Sequence, residues 1–211
     1  MVLGKEITVV YYTSNRETTF FEEKIRDRLL RTIKGLPLIS VSQKPIDFGY
    51  NICVGDIGAS DFNVLKQLLK GCEVADTPFI ATVEADCLYP PTGYFDFVPP
   101  DVDMAYRYTN LWVMWKGRNI FRKKAYSLCA QISGREYLIE SIYARINRSK
   151  ERGDIFKETR GWKPFEGDIP CINIKTGRGM RIFTGTISGM EPVEALPHWG
   201  SAEDLNKELF E

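Results

Sequence analysis

The stretch "TPFIATVEADCLYPP", Thr77 to Pro91, decides how the rest of the chain is read. Its first half, "TPFIATVEA", is short, apolar and β-branched, which predicts a buried strand. That strand finishes on two carboxylates, Glu84 and Asp86, and Pro90-Pro91 then ends it. In a strand, residues i and i+2 face the same side, so the two acids converge. Paired carboxylate oxygens suit a hard cation such as Mg²⁺ or Mn²⁺. Two solvated acids at the start of a loop would look the same in isolation. What favours a site is the company the strand keeps.

Upstream, "EITVVYYTSN" predicts a strand at 6–12 that ends in a polar cluster. Thr18 or Thr19 can cap a helix in which Phe21, Ile25, Leu29 and Ile33 recur every fourth residue, and Gly35 stops it. "LPLISVSQ" is a second strand, and "ICVGDIGAS" a short third strand with a glycine loop. Asp61 opens a helix with Phe62, Leu65, Leu69 and Cys72 on one face. The order β-α-β-(β)-α-β predicts an α/β fold with a mostly parallel sheet, right-handed crossovers and flanking helices. Ligands of such sheets gather at the carboxyl ends of the strands. Three polar clusters fall there: Thr13-Ser14-Asn15-Arg16, Ser42-Gln43-Lys44 and Glu84-Ala85-Asp86.

Beyond Pro91 the pattern changes. "AYRYTNLWVMW" and "NIFRKKAYSLCAQIS" read as two strands joined by Lys116-Gly117-Arg118, and "REYLIESIYARI" as a helix. Residues 148–169 read as a long polar loop, and "CINIKTGRGMRIF" as a last strand or pair of strands. "KTGRGMR" could wrap an anion with Lys175 and Arg178, or simply be a hairpin turn. Ser201 is set to cap a terminal helix. The expected organisation is one domain over 1–211, with a nucleotide-binding half at 1–91 and an acceptor-side half at 92–211.

Composition bounds the function. The hydrophobic fraction of 44% is enough for a packed core. No apolar run nears the roughly 20 residues that span a bilayer, so a cytoplasmic protein without membrane contact is expected. Five cysteines at wide spacing with no CxxC argue against a disulfide framework and against a cysteine zinc site. Net charge is zero, but residues 116–163 hold 13 Lys/Arg against 5 Asp/Glu. That block is either a solvated face or a polyanion-binding surface. Trp112, Trp115, Tyr126, Tyr143 and Trp162 interleave with it, as stacking platforms for an extruded base or as core. The chain lacks GxGxxG, GxxxxGK[ST] and GxSxG, which removes the main support for dinucleotide, P-loop and triad-hydrolase readings. His198, the only histidine, is pinned between Pro197 and Trp199.

Taken together, the strand-one polar loop, the α/β nucleotide half and the acid-x-Asp after a parallel strand resemble a GT-A glycosyltransferase of the family-2-like group. More loosely, the chain is similar to small bacteriophage glycosyltransferases that modify 5-hydroxymethylpyrimidines in DNA. The resemblance implies a nucleoside-diphosphate sugar donor, most readily a uridine one, held by Thr13 to Arg16, Gln43 and Lys44. It implies a divalent metal (Mn²⁺ or Mg²⁺) on Asp86, with Glu84 and His198 assisting. It places Ser133 and Gly134 of "AQISGREYL" by the donor sugar, with Glu136 or Asp168 as acceptor-side base and Lys175 or Arg178 adding positive charge. DNA as acceptor would use the basic block. A nucleotidyltransferase and a non-catalytic nucleic-acid-binding domain are the rival readings.

Overall fold

The structure, a computed structural model, describes residues 6–152, 160–178 and 189–211. Through residue 84 the elements follow the periodicity: β1 (Ile7–Thr13), α1 (Thr19–Ile33), β2 (Leu38–Ser42), β3 (Tyr50–Cys53), α2 (Asp61–Val74) and β4 (Phe79–Glu84). Thr18 and Ser60 cap the two helices, their hydroxyls accepting the backbone N–H groups of Phe21 and Asn63. Next come β5 (Cys87–Leu88), β6 (Ala105–Tyr108), β7 (Leu111–Trp115), β8 (Phe121–Lys124), β9 (Ala130–Gly134) and α3 (Arg135–Arg152). The chain closes with β10 (Lys163–Phe165), β11 (Cys171–Lys175), β12 (Ala195–Leu196), β13 (Gly200–Ser201) and α4 (Ala202–Phe210).

The fold is α/β. A seven-stranded sheet runs β10-β6-β9-β4-β1-β2-β3, and β9 alone lies antiparallel to its neighbours. β1 is buried along its whole length, as a central parallel strand must be when both faces are covered. Its alternation divides the core. Val10 and Tyr12 face α2 and α3, while Val9 and Tyr11 face the side where Leu29 and Ile33 of α1 pack. On α2 the fully buried stripe is Leu65, Leu68 and Cys72, with Phe62 and Leu69 only partly buried.

The second half departs from the expected pattern. "AYRYTNLWVMW" is two strands, broken at Thr109-Asn110: β6 belongs to the large sheet and β7 to a four-stranded sheet, β5-β11-β7-β8. "NIFRKKAYSLCAQIS" breaks likewise into β8 and β9. β6 pairs with β9 and β7 with β8, so one bent hairpin serves both sheets. The bend is held from outside: Thr109 N–H bonds Phe165 O, and the Asn110 amide donates to Gly167 O. The 148–169 stretch is also more regular than expected. α3 continues to Arg152, and Lys163–Phe165 adds the edge strand β10, where Pro164 is tolerated. In "CINIKTGRGMRIF" the strand ends at Lys175, and the part after Arg178 lies outside the described residues. Among the described residues no helix is long and apolar enough to cross a membrane.

Candidate active site

Three strands of the large sheet end together. Thr13 is in register with Ser42, and Tyr12 with Glu84. Their ends open into a cleft of about 530 Å³ lined by Thr13, Ser14, Gln43, Glu84, Ala85 and Asp86, together with Gly58–Ser60 and Gln67. Six of the residues expected at a site are thus brought together. Gln67 and Glu17 are among the lining residues outside the expected set. Gln67, on the buried face of α2, donates its amide to Thr13 O (2.8 Å) and Val41 O (3.0 Å), tying the helix to two strand ends. Glu17 also lines the cleft and accepts from Thr176 Oγ1. Gln67 had a signal, a polar residue inside an apolar helical stripe; Glu17 had none.

Around the loop after β1, Asn15 (φ 51°) accepts the backbone N–H groups of Gln43 and Lys44 at 2.8 and 2.9 Å. Its side chain therefore clamps the β2 end to the β1 loop. Arg16 and the Lys44 side chain are exposed. Below them Glu22 of α1 accepts from Thr13 Oγ1 (3.2 Å) and pairs with Arg26 (3.2 Å), and burial pushes its carboxyl above the ordinary value.

Gln43 is 5% exposed. Its Nε2 donates to Gly58 O at 2.9 Å, which fixes the amide orientation. Its Oε1 is buried without a hydrogen-bond partner among the described residues.

Asp86 sits in the turn between β4 and β5. Asn173 Nδ2 donates to its Oδ1 (3.0 Å), and Lys175 Nζ lies 3.4 Å from its Oδ2. Lys175 is thus a strand residue beside Asp86. Burial works against its ammonium, but Asp86 and Glu84 outweigh that and hold its pKa above the ordinary value. Arg178 is exposed; its N–H bonds Thr176 Oγ1, next to Glu17.

Glu84 faces another set of groups. Tyr12 OH donates to its Oε1 at 2.7 Å, and Cys87 Sγ lies 4.0 Å from its Oε2. Burial pushes its carboxyl up to about 8, helped by Cys129 and Asp86. Burial also raises the Cys87 thiol, whereas a hydrogen bond from Cys87 lowers that of Cys129. Glu84, Cys87 and Cys129 are the only three metal-ligating residues among those described whose ligand atoms all fall within 4.8 Å of one another.

The remaining candidates lie elsewhere. Gly134 and Ser133 pair with Phe79 and Ile80, at the opposite end of β4 from Glu84. A Cβ on Gly134 would stand 1.6 Å from Val102 O, so this glycine answers to backbone packing. Glu136 starts the helix that follows, is exposed, and pairs with Arg135. Asp168 lies before the start of β11, whereas Asp86 meets its other end. His198, at φ 70°, occupies the turn between β12 and β13; its neighbour Trp199 donates to Pro170 O, also at the start of β11. None of these residues lines the cleft.

The basic block is likewise dispersed. Lys124 is buried, with Nζ 3.4 Å from Asn173 Oδ1, Arg135 donates to Cys72 O, and Arg160 pairs with Glu140. Lys116, Arg118 and Lys123 lie over the rings of Phe210, Trp115 and Trp112. Trp112 and Trp115 are core residues, and Tyr126 and Trp162 flank Arg107.

No protein-family model matches the chain, and no curated protein sequence matches it significantly. Solved structures do. One is the crystal structure of a glycosyltransferase involved in the glycosylation of the major capsid of PBCV-1. It superposes with a TM-score of 0.53 over 79% of this chain and 92% of that one, at 9% sequence identity. The chain has a glycosyltransferase-like fold. At that identity the likeness speaks for the fold, and the chemistry must be argued from the cleft.

Proposed function

We propose that the chain is a glycosyltransferase of the GT-A type that takes a uridine-diphosphate sugar in the cleft at the ends of β1, β2 and β4. Gln43 carries this reading. A buried acceptor left without a donor costs on the order of 1–3 kcal/mol, so a ligand donor is expected to meet its Oε1. Uracil offers a ring N–H flanked by two carbonyls, which an amide oxygen accepts; cytosine offers a bare ring nitrogen at the same place and must turn its amino group to Gln43 instead. In the pose that faces the ring nitrogen to Oε1, Gln43 favours uridine. Asp86, across the same lining, is the residue for the diphosphate end.

The donor set suits a hard divalent ion on Asp86. That carboxylate has about four lone-pair sites, of which Asn173, the Cys87 thiol and Lys175 engage three, and its side chain keeps 21% of its surface exposed. Mg²⁺ and Mn²⁺ accept one or two protein carboxylates and leave the rest to water and phosphate. When bound, such an ion would neutralise charge on the departing diphosphate. Lys175 supplies a second, fixed positive charge beside it and holds the Asp86 carboxylate in place. Glu84 is directed to Tyr12 and the thiols, and His198 to the β12–β13 turn, so neither belongs to this ion's set. The acceptor is a hydroxyl compound. A duplex with 5-hydroxymethylpyrimidines is the first to try, with Lys116, Arg118 and Lys123 as residues for its phosphates.

The test is a donor panel with Mn²⁺, reading out nucleotide release with and without acceptors. Uridine donors are expected to outperform cytidine donors by about tenfold or more, the value of one hydrogen bond made rather than opposed. Asp86→Asn should lower turnover by about 100-fold or more, as loss of a charge-stabilising group does. Unchanged turnover in that variant, or no uridine-donor binding by the wild type, would overturn the reading.

A further inference from the structure

We propose that Glu84, Cys87 and Cys129 form a second metal site, for a thiophilic ion of the Zn²⁺ class, directly beneath the turn that carries Asp86. It goes beyond the donor reading and uses different chemistry.

The three ligands come from three places: the end of β4, the short strand β5, and the residue before β9. Their ligand atoms lie within 4.8 Å of one another, with Cys87 Sγ 4.0 Å from Glu84 Oε2; a tetrahedral ion with Zn–S bonds of about 2.3 Å and Zn–O of about 2.1 Å holds its ligands roughly 3.6–3.8 Å apart, so loading draws the three side chains slightly together. Two thiolates select a soft or borderline ion over Mg²⁺ or Ca²⁺. Both cysteines are free and buried, so no disulfide consumes them.

The surroundings are those of metal ligands. Asn173 Nδ2 donates to Cys87 Sγ at 3.1 Å, and Tyr12 OH donates to Glu84 Oε1 at 2.7 Å. Such outer donors orient anionic ligands and are costly to leave beside neutral ones. The backbone is braced as well: Tyr89 OH accepts from Glu84 N (3.0 Å) and donates to Cys129 O (2.5 Å), joining two of the ligand residues. Glu84 also lines the cleft, which gives an ion a way in.

Charge closes on this assignment. Once the ion has displaced the thiol protons, Glu84, Asp86, Cys87 and Cys129 carry four negative charges. A divalent ion with Lys124 and Lys175 carries four positive ones, and both lysines reach this cluster through Asn173 and Asp86. The ion completes its tetrahedron with water from the cleft. Its role is to pin the β4–β5 turn to the residue before β9, and so to hold Asp86 at the strand end.

The site is tested on the full chain with metal alone. Chelator-treated protein is loaded with Zn²⁺ or Co²⁺ and desalted, and bound metal is measured. One equivalent should be retained, and the Co²⁺ form should show sulfur-to-cobalt charge-transfer absorption and the visible bands of a four-coordinate centre. Cys87→Ser and Cys129→Ser should each weaken binding by more than about 100-fold. Cys53→Ser, at the exposed cysteine, should leave the metal and its spectrum in place. Circular dichroism and the melting profile of Cys129→Ala, which keeps the core apolar, report whether a loss of metal is merely a loss of fold. A six-coordinate oxygen-type cobalt spectrum, or equal retention by a folded variant lacking both thiols, would overturn the proposal. No nucleotide enters this test, so its failure leaves the uridine-donor reading intact, and failure of that reading leaves this site standing.

Discussion

At the scale of single residues, the candidate site is built from polar groups placed where an α/β sheet cannot satisfy them internally. Gln43 is the plainest case, its Nε2 spent on Gly58 O and its Oε1 buried without a hydrogen-bond partner among the described residues. Gln43→Leu should weaken uridine-donor binding by about tenfold and narrow the uridine-to-cytidine ratio, checked by calorimetric titration with both nucleotides. Glu22 is a second case. Burial raises its pKa, so its contribution to stability is complete below the ordinary glutamate value and is lost as pH rises through the folded-state value. The stability of wild type relative to Glu22→Gln should therefore fall as pH rises from about 4 to 7, read from urea midpoints across that range. Thr13, Gln43 and Asp86 were legible in the sequence because each follows a strand with a clear period. Gln67 and Glu17 reach the cleft from a helix face and a loop, and only the packing of those elements shows it.

At the scale of elements, close approach decides more than propensity does. α2 lies so near β1 that a Cβ on Gly71 would fall 2.4 Å from Val10 Cγ1. A glycine inside a helix is unfavourable by roughly 0.5–1 kcal/mol relative to alanine, yet here alanine has no room. Gly71→Ala should destabilise by about 1–3 kcal/mol and, by lifting α2, loosen the Gln67 contacts to Thr13 and Val41, measured by denaturant unfolding and donor affinity together. The same approach explains why "AQISG" misled. A strand with small residues before a helix looks like a ligand-lining segment, but β9 runs antiparallel to β4. That reversal carries Ser133, Gly134 and Glu136 to the end of the sheet away from Asp86. Strand direction is not written in a residue pattern of period two.

At the scale of the whole molecule, the two larger sheets share one bent hairpin, and α1 packs on both. Phe21 and Ile25 join the core of the smaller sheet and α4, while Leu29 and Ile33 join the core of the large one. One helix and one hairpin thus tie the two sheets together. Thermal unfolding should therefore be a single cooperative transition, with calorimetric and van't Hoff enthalpies in agreement; two resolved transitions would contradict it. The sequence by itself determined the α/β class, the β1–α1–β2–β3–α2–β4 order and the convergence of three polar strand ends, because hydrophobic period and capping residues are local properties. Tertiary structure alone decided the rest. It put Lys175 on Asp86, turned Glu84 toward Tyr12, and gathered Cys87 and Cys129 from distant segments whose spacing argued against a metal site. It also sent His198 and Asp168 to the start of β11. Those outcomes depend on which strands pair and in which direction, and pairing is set by how the whole core closes.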